Sequence, residues 1–256
     1  MNEKAPGLGL KDSQFKNSHG MPARDQYTTA FDIAILARHY IEDHPEALAY
    51  HSLVEFEYNG IQQQNRNVLL GMNIGVDGLM TGYLEKSGYL LVATAKRDGQ
   101  RMIAVVMGCD TPRRRTQESL ELLEYGFKNF STVEAVKKDS LFGPEKVVGG
   151  KLNKVHLVPA ETGWVTVAKG NENSISITSE VAKPINAPVQ KGQVAGKVVI
   201  QSEGKVLKEI GLFFPSDVPK GIYLPWPLIG GAIFTLILVS LIMFWLIRRP
   251  KRKKFL

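Results

Sequence analysis

From Gly221 to Ile247 the chain carries no charged side chain, and no other feature of the sequence narrows its folding options as sharply. The core of this stretch, Leu228 to Ile247, is 20 residues long. As a helix it would reach about 30 Å, the thickness of a bilayer's hydrocarbon layer. Tyr223 and Trp226 stand at one end and Trp245 at the other, where interfacial aromatics sit. Arg248, Arg249, Lys251, Arg252, Lys253 and Lys254 follow directly. The expectation is a single transmembrane anchor over 218–247, a basic tail (248–256) in the cytoplasm, and the preceding body on the other side.

Charge placement narrows the class of partner. Six of the positive charges behind the net +7 lie in that tail, so the rest of the chain nets only +1. A near-neutral body lacks the distributed basic face that phosphate tracking requires, and no nucleic acid is expected as a partner. A body outside the cytoplasm calls for an export signal, yet Met1–Pro6 opens without an apolar core that could serve as one. Either the chain starts late or the apolar stretch alone inserts it. Cys109 is the single cysteine, so no intrachain disulfide is possible.

Residues 1–27 are polar and turn-rich. A helix is expected to open at Thr29, with Asp32 three residues on completing a capping box, and Pro45 marks a second start. Val54, Phe56 and Tyr58 alternate with Glu55 and Glu57, the pattern of a half-buried strand that ends at the turn pair Asn59-Gly60. Two β-rich runs, Tyr89–Lys96 and Arg101–Gly108, are joined by Arg97-Asp98-Gly99-Gln100 as a hairpin. Thr111 and Pro112 then cap a helix running to about Phe130, with Leu120, Leu123, Phe127 and Phe130 on one face. From about Thr132 the helical period gives way to short strands separated by Gly, Pro and Asn, the spacing of an all-β sandwich or barrel. Ala187–Gln193 is similar to a turn of biotinyl and lipoyl domains, but no lysine occupies the modification context, so it reads as structural.

The most specific wording is Val76-Asp77-Gly78-Leu79-Met80-Thr81-Gly82-Tyr83, followed by Gly88-Tyr89-Leu90-Leu91-Val92-Ala93-Thr94-Ala95. It resembles the third active-site motif, Lys-Thr-Gly, of the serine D-Ala-D-Ala carboxypeptidases, the low-molecular-mass penicillin-binding proteins. Met80 stands at the lysine position and Tyr83 where the family often has histidine. Leu8–Phe15 through His19-Gly20, Gln26–Ala30 with Asp32, and Asn65-Arg66-Asn67 follow the family in the same order.

The resemblance implies an α+β fold. Residues 1–131 would be the C-terminal part of the carboxypeptidase domain, a partial penicillin-binding-protein/β-lactamase-like antiparallel sheet with helices. Residues 132–217 would be the β-sandwich, ahead of the C-terminal transmembrane helix. It implies removal of the terminal D-Ala from peptidoglycan stem peptides through a serine acyl-enzyme, with β-lactams as ligands of complete members. The place of work would be the bacterial inner membrane, body in the periplasm. Arg66, Met80, Thr81, Gly82 and Tyr83 would line the substrate site, Thr81 binding the terminal carboxylate and Arg66 giving it a cationic partner.

The family's nucleophile motif, Ser-x-x-Lys, occurs as text at Ser13–Lys16 and Ser202–Lys205, both out of context, and no Ser-x-Asn occurs. No catalytic residue is therefore expected in this chain, whose first residue would fall just past both motifs. The competing expectation is a non-catalytic, membrane-tethered module that binds cell-wall material or partners. A third is a degraded gene product. His19, His39, His44, His51 and His156 form no metal pattern, and Gly71, Gly75 and Gly78 no nucleotide-binding spacing, so no cofactor is expected.

Overall fold

A computed structural model describes the backbone of residues 1–221 and 226–247, with side chains of the second stretch described at 230–231 and 233–244. In chain order the elements are α1 (Ala30–Asp43), α2 (Leu48–His51), β1 (Glu55–Tyr58), β2 (Ile61–Gln64), β3 (Val76–Leu84), β4 (Gly88–Arg97) and β5 (Gln100–Cys109). Next come α3 (Pro112–Asn129), β6 (Phe130–Val136), β7 (Phe142–Val148), β8 (Lys154–Pro159), β9 (Gly163–Ala168) and β10 (Ile175–Val181). Last are β11 (Ile185–Asn186), β12 (Val194–Ser202), β13 (Lys205–Phe213) and α4 (Trp226–Ile247). The chain forms two compact units. One is Met1–Ala135 with Trp164–Ser176 and Ser202–Lys205; the other is Val136–Gly163, Ile177–Gln201 and Val206–Leu256.

The first unit is built on a three-stranded antiparallel sheet in the order β3-β4-β5. Its central hairpin closes through Asp98 and Gly99, both at positive φ (49° and 81°), the geometry that a two-residue turn between right-twisted strands requires. Apolar runs make β4 the buried centre: Leu91, Ala93 and Ala95 are fully buried and pack with Ala104, Leu69 and Leu123 of α3. α3 comes close because Gly126 leaves room for Met102, whose sulfur lies 3.0 Å from where a Cβ would stand. Arg97 clamps the same helix. It donates to Glu124 from both terminal nitrogens and to Ile74 O from Nε at 2.7 Å, with its guanidinium 4.3 Å over the Phe127 ring.

Thr29 caps α1 as expected, accepting from Asp32 N at 3.1 Å. The second half of the capping box does not form, because the Asp32 carboxylate is taken by the preceding loop. It accepts from Lys11 N, Asp12 N (2.8 Å) and Ser13 Oγ (2.7 Å). Asp32 is buried, and the Ser13 hydroxyl, with the two backbone N–H groups, holds its carboxyl below the ordinary aspartate value. The Arg97 guanidinium does the same for Glu124. A depressed folded-state pKa stabilises the fold at neutral pH, and that stabilisation is lost as pH falls through the folded value. Melting temperature is therefore expected to fall on acidification from about pH 5 to pH 3. Asp32→Asn should lower it at neutral pH and flatten that fall, as read by circular dichroism at each pH.

The β1–β2 hairpin departs from expectation. The alternation of β1 predicts one buried face, yet all four of its residues are exposed, as are all four of β2. The two strands pair only with each other, so nothing among the described residues covers the face of Phe56 and Tyr58.

The second unit holds a six-stranded sheet in the order β10-β12-β13-β8-β7-β11. The turn that joins β12 to β13, Glu203-Gly204, has both residues at positive φ (50° and 77°). Alternation is strict in β8, where Val155, Leu157 and Pro159 are buried; β9, which pairs with β6 outside this sheet, alternates as strictly, with Gly163, Val165 and Val167 buried. Val198 and Ile200 of β12 and Ile210 and Leu212 of β13 are buried as well. β11 joins β7 in parallel, through Ile185↔Val147 and Asn186↔Val148, a pairing that no local signal announces.

The expected transmembrane anchor requires correction. α4 is present, but among the described residues no helix is long and apolar enough to cross a membrane. The fold class is a penicillin-binding-protein-like α+β unit with a C-terminal β domain, with no spanning helix among the described residues. Tyr223 and the basic tail 248–256 lie outside the described residues.

Candidate functional site

β3 carries the motif. Its start is pinned from beneath: a bulge between Val76 and Gly78 turns Asp77 towards Arg101 of β5. The two form a bidentate pair at 2.8 Å for each bond, and Arg101 also donates to the buried Thr94 hydroxyl at 2.7 Å. Planar pairing of this kind fixes direction as well as distance. Further along, β3 runs beside β4 with Thr81↔Leu91, Gly82↔Leu90 and Tyr83↔Tyr89 in register. Gly82 has to be small, since a Cβ there would stand 3.1–3.3 Å from three atoms of Leu90.

Beside this end of β3 lies an open pocket of about 350 Å³, lined by Arg66, Thr81, Gly82, Tyr83, Tyr89, Pro112 and Arg115. That volume suits a small ligand. The Tyr83 and Tyr89 rings form one wall, their centroids 4.3 Å apart and tilted by 31°. Arg66 enters from the turn after β2. There Asn65 Oδ1 accepts from Asn67 N at 2.9 Å, and Asn67 in turn donates to Gly78 O, tying the turn to β3.

Arg115 comes from the first turn of α3, whose N-terminus is capped by Thr111 accepting from Arg114 N. It is 5 % exposed and donates one terminal nitrogen to Arg66 O at 2.9 Å. Its Nε has no partner among the described residues. Burial pushes the guanidinium below its ordinary value, and Arg66 nearby pushes the same way. A buried cation with an unused donor, next to a second cation and a hydroxyl, is under-satisfied until an anion arrives.

Of the residues expected from sequence, Arg66, Thr81, Gly82 and Tyr83 meet at this pocket. Met80 is 55 % exposed and does not line it. Neither textual nucleophile is there. Ser13 binds Thr28 and Asp32, and Ser202 binds Ser174. The sequence reading missed Arg115, Tyr89 and Pro112. Arg115 sits in the run Arg113-Arg114-Arg115, in which composition alone does not mark one arginine as buried. The available signal was its spacing: Arg115, Ser119 and Leu123 are four apart, and all three are buried.

Sheet, pocket and β domain together define a penicillin-binding-protein type of chain, and comparison with known proteins makes the class specific. Residues 1–111 match the family model for D-alanyl-D-alanine carboxypeptidase, and residues 130–220 that for the C-terminal domain of penicillin-binding protein 5. The chain belongs to the D-alanyl-D-alanine carboxypeptidase family. It is 39 % identical over 223 residues to the D-alanyl-D-alanine carboxypeptidase DacC of Escherichia coli and 38 % over 221 to DacA of Haemophilus influenzae. These alignments take in 86 % and 85 % of this chain but 56 % of each relative, so the chain spans little more than half their length. The crystal structure of penicillin-binding protein 5 from Haemophilus influenzae superposes with a TM-score of 0.75 at 37 % identity, over 86 % of this chain and 64 % of that one. Penicillin-binding protein 6B from Escherichia coli gives 0.58 at 30 % identity, over 83 % and 58 %.

Proposed function

We propose that this chain carries the carboxylate-recognising part of a D-alanyl-D-alanine carboxypeptidase site and binds the D-Ala-D-Ala ends of peptidoglycan stem peptides. The observation that supports this most is Arg115, buried with an unpartnered Nε beside Arg66 and Thr81. A terminal carboxylate would accept from both guanidinium groups and the hydroxyl, and the N-terminus of α3 adds partial positive charge from the same side. The Tyr83–Tyr89 wall would flank the alanine methyl. β-Lactams, which carry a carboxylate of the same kind, would enter the same pocket. A body with this substrate would work in the periplasm. The test is binding of an N-acylated D-Ala-D-Ala peptide against its C-terminal amide by calorimetry. The amide should bind at least about 30-fold more weakly, the cost of leaving buried donors unpaired. Equal affinities would refute the reading.

A second reading, binding without turnover, is favoured by the pocket lining, which contains no serine and no lysine. An acyl-enzyme needs a hydroxyl or thiol nucleophile activated by a neighbouring base. This chain, incubated with a fluorescent penicillin and run on a denaturing gel, should show no covalent label. A labelled band that disappears in Ser13→Ala would overturn this reading and leave carboxylate recognition standing.

A further inference from the structure

The hairpin between β7 and β8 has lysines and aliphatic side chains arranged in a way that its own sheet does not use. Lys146 and Lys154 are cross-strand partners on its exposed face. Like charges directly opposite one another destabilise a sheet unless something between or above them is negative. Two residues nearer the turn from each lysine are Val148, on the same face of β7, and Leu152, in the turn itself, 48 % and 51 % exposed. Lys151 stands at the tip. A third segment adds Lys220, which bridges to Gly150.

The tip is held in place. Lys151 N donates to Pro219 O at 2.8 Å, Gly221 N to Gly149 O at 2.9 Å and Val147 N to Asn153 O at 3.0 Å. Gly150 sits directly on the buried Val218, whose Cγ1 lies 2.9 Å from where a Cβ would be. None of the four lysines has a carboxylate partner among the ion pairs of the described residues. The acidic neighbours are engaged elsewhere: Glu145 with Lys183 at 3.0 Å, and Asp217 with Lys191 N at 2.7 Å.

We propose that this hairpin tip docks on an anionic lipid surface, with Val148 and Leu152 entering the headgroup boundary and Lys146, Lys151, Lys154 and Lys220 meeting the phosphates. Lysines alone would suit any polyanion in water. The exposed aliphatic pair set between them distinguishes a lipid interface, which rewards both kinds of group at once. The contact is peripheral and requires no spanning helix.

The full-length chain is to be sedimented with vesicles of phosphatidylcholine alone, and of phosphatidylcholine with phosphatidylglycerol, at low and physiological salt. A lysine close to an anionic leaflet is worth about a factor of five in partitioning, so Lys146→Gln with Lys154→Gln should weaken binding to the anionic vesicles about 30-fold. Binding to neutral vesicles should not change, and the difference should shrink with salt as screening shortens. Lys137→Gln with Lys138→Gln removes the same charge elsewhere and should change binding less than about twofold.

An environment-sensitive dye on Leu152→Cys, in a Cys109→Ala background, should shift to the blue with anionic vesicles. An equal loss in the control pair, or no shift at position 152, would overturn the proposal. So would binding to soluble polyphosphate that depends on Lys146 and Lys154 and replaces binding to vesicles. That result would assign the lysines to an anionic polymer.

Discussion

Gly196→Ala should break open the β domain. Gly196 lies in β12 next to β10, and a Cβ there would stand 2.1 Å from Glu180 O, 2.8 Å from Val181 Cα and 3.0 Å from Glu180 C. All three are backbone atoms, so no side-chain rotation relieves the overlap. Paired strands lie about 4.8 Å apart, and the methyl group can be housed only by pushing β10 off the sheet. The loss should be about 3 kcal/mol or more, at or beyond the upper end of ordinary overpacking. Gly163→Ala is the informative contrast. Its Cβ would meet Ile200 Cδ1 and Ile210 Cδ1 at 2.7 Å, the far ends of flexible side chains, so part of the clash can relax. Urea denaturation followed by circular dichroism should rank Gly196→Ala well below Gly163→Ala. A Gly196→Ala protein within about 1 kcal/mol of the parent would mean that β10 is free to shift without cost.

Arg115→Gln should remove carboxylate binding while sparing the fold. Truncating one partner of a buried charged contact typically costs a complex about 2–5 kcal/mol, or roughly 30- to several thousand-fold in Kd. The same change should not destabilise the free protein, because the unliganded guanidinium is buried with its Nε unpaired and already bears the cost of desolvation. Arg66→Gln is expected to have a smaller effect, about 3- to 10-fold, because Arg66 is exposed and its field is screened by water. Calorimetry with the acylated D-Ala-D-Ala peptide, alongside melting curves, separates the two quantities. A large fall in melting temperature for Arg115→Gln would make Arg115 a structural residue, and equal losses at positions 66 and 115 would mean that burial is not what gives Arg115 its weight.

Much of the local structure was legible because its causes are short-range. Asp98-Gly99 can take positive φ, Thr111-Pro112 can cap and start a helix, and the apolar run of β4 has to be covered. The motif wording alone points Thr81 and Arg66 to one site. Other local signals pointed the wrong way. The alternation in β1 implied a buried face that this hairpin does not have, and the charge-free stretch after Gly221 implied a spanning helix that the described residues do not supply.

What the sequence by itself determined was therefore which segments turn, which become strands or helices, and to which family the wording belongs. Only the tertiary structure decided where Arg115 goes. It lies 49 residues from Arg66, and one hydrogen bond joins them because α3 lies against the β4–β5 sheet with its first turn at the end of β3. The same holds for Lys146, Lys154 and Lys220, which the sheet register and one bridge bring together from three separate segments. Turn and cap chemistry acts over three or four residues, whereas a pocket or a charged face depends on packing between distant segments, for which a single sequence carries no local signal.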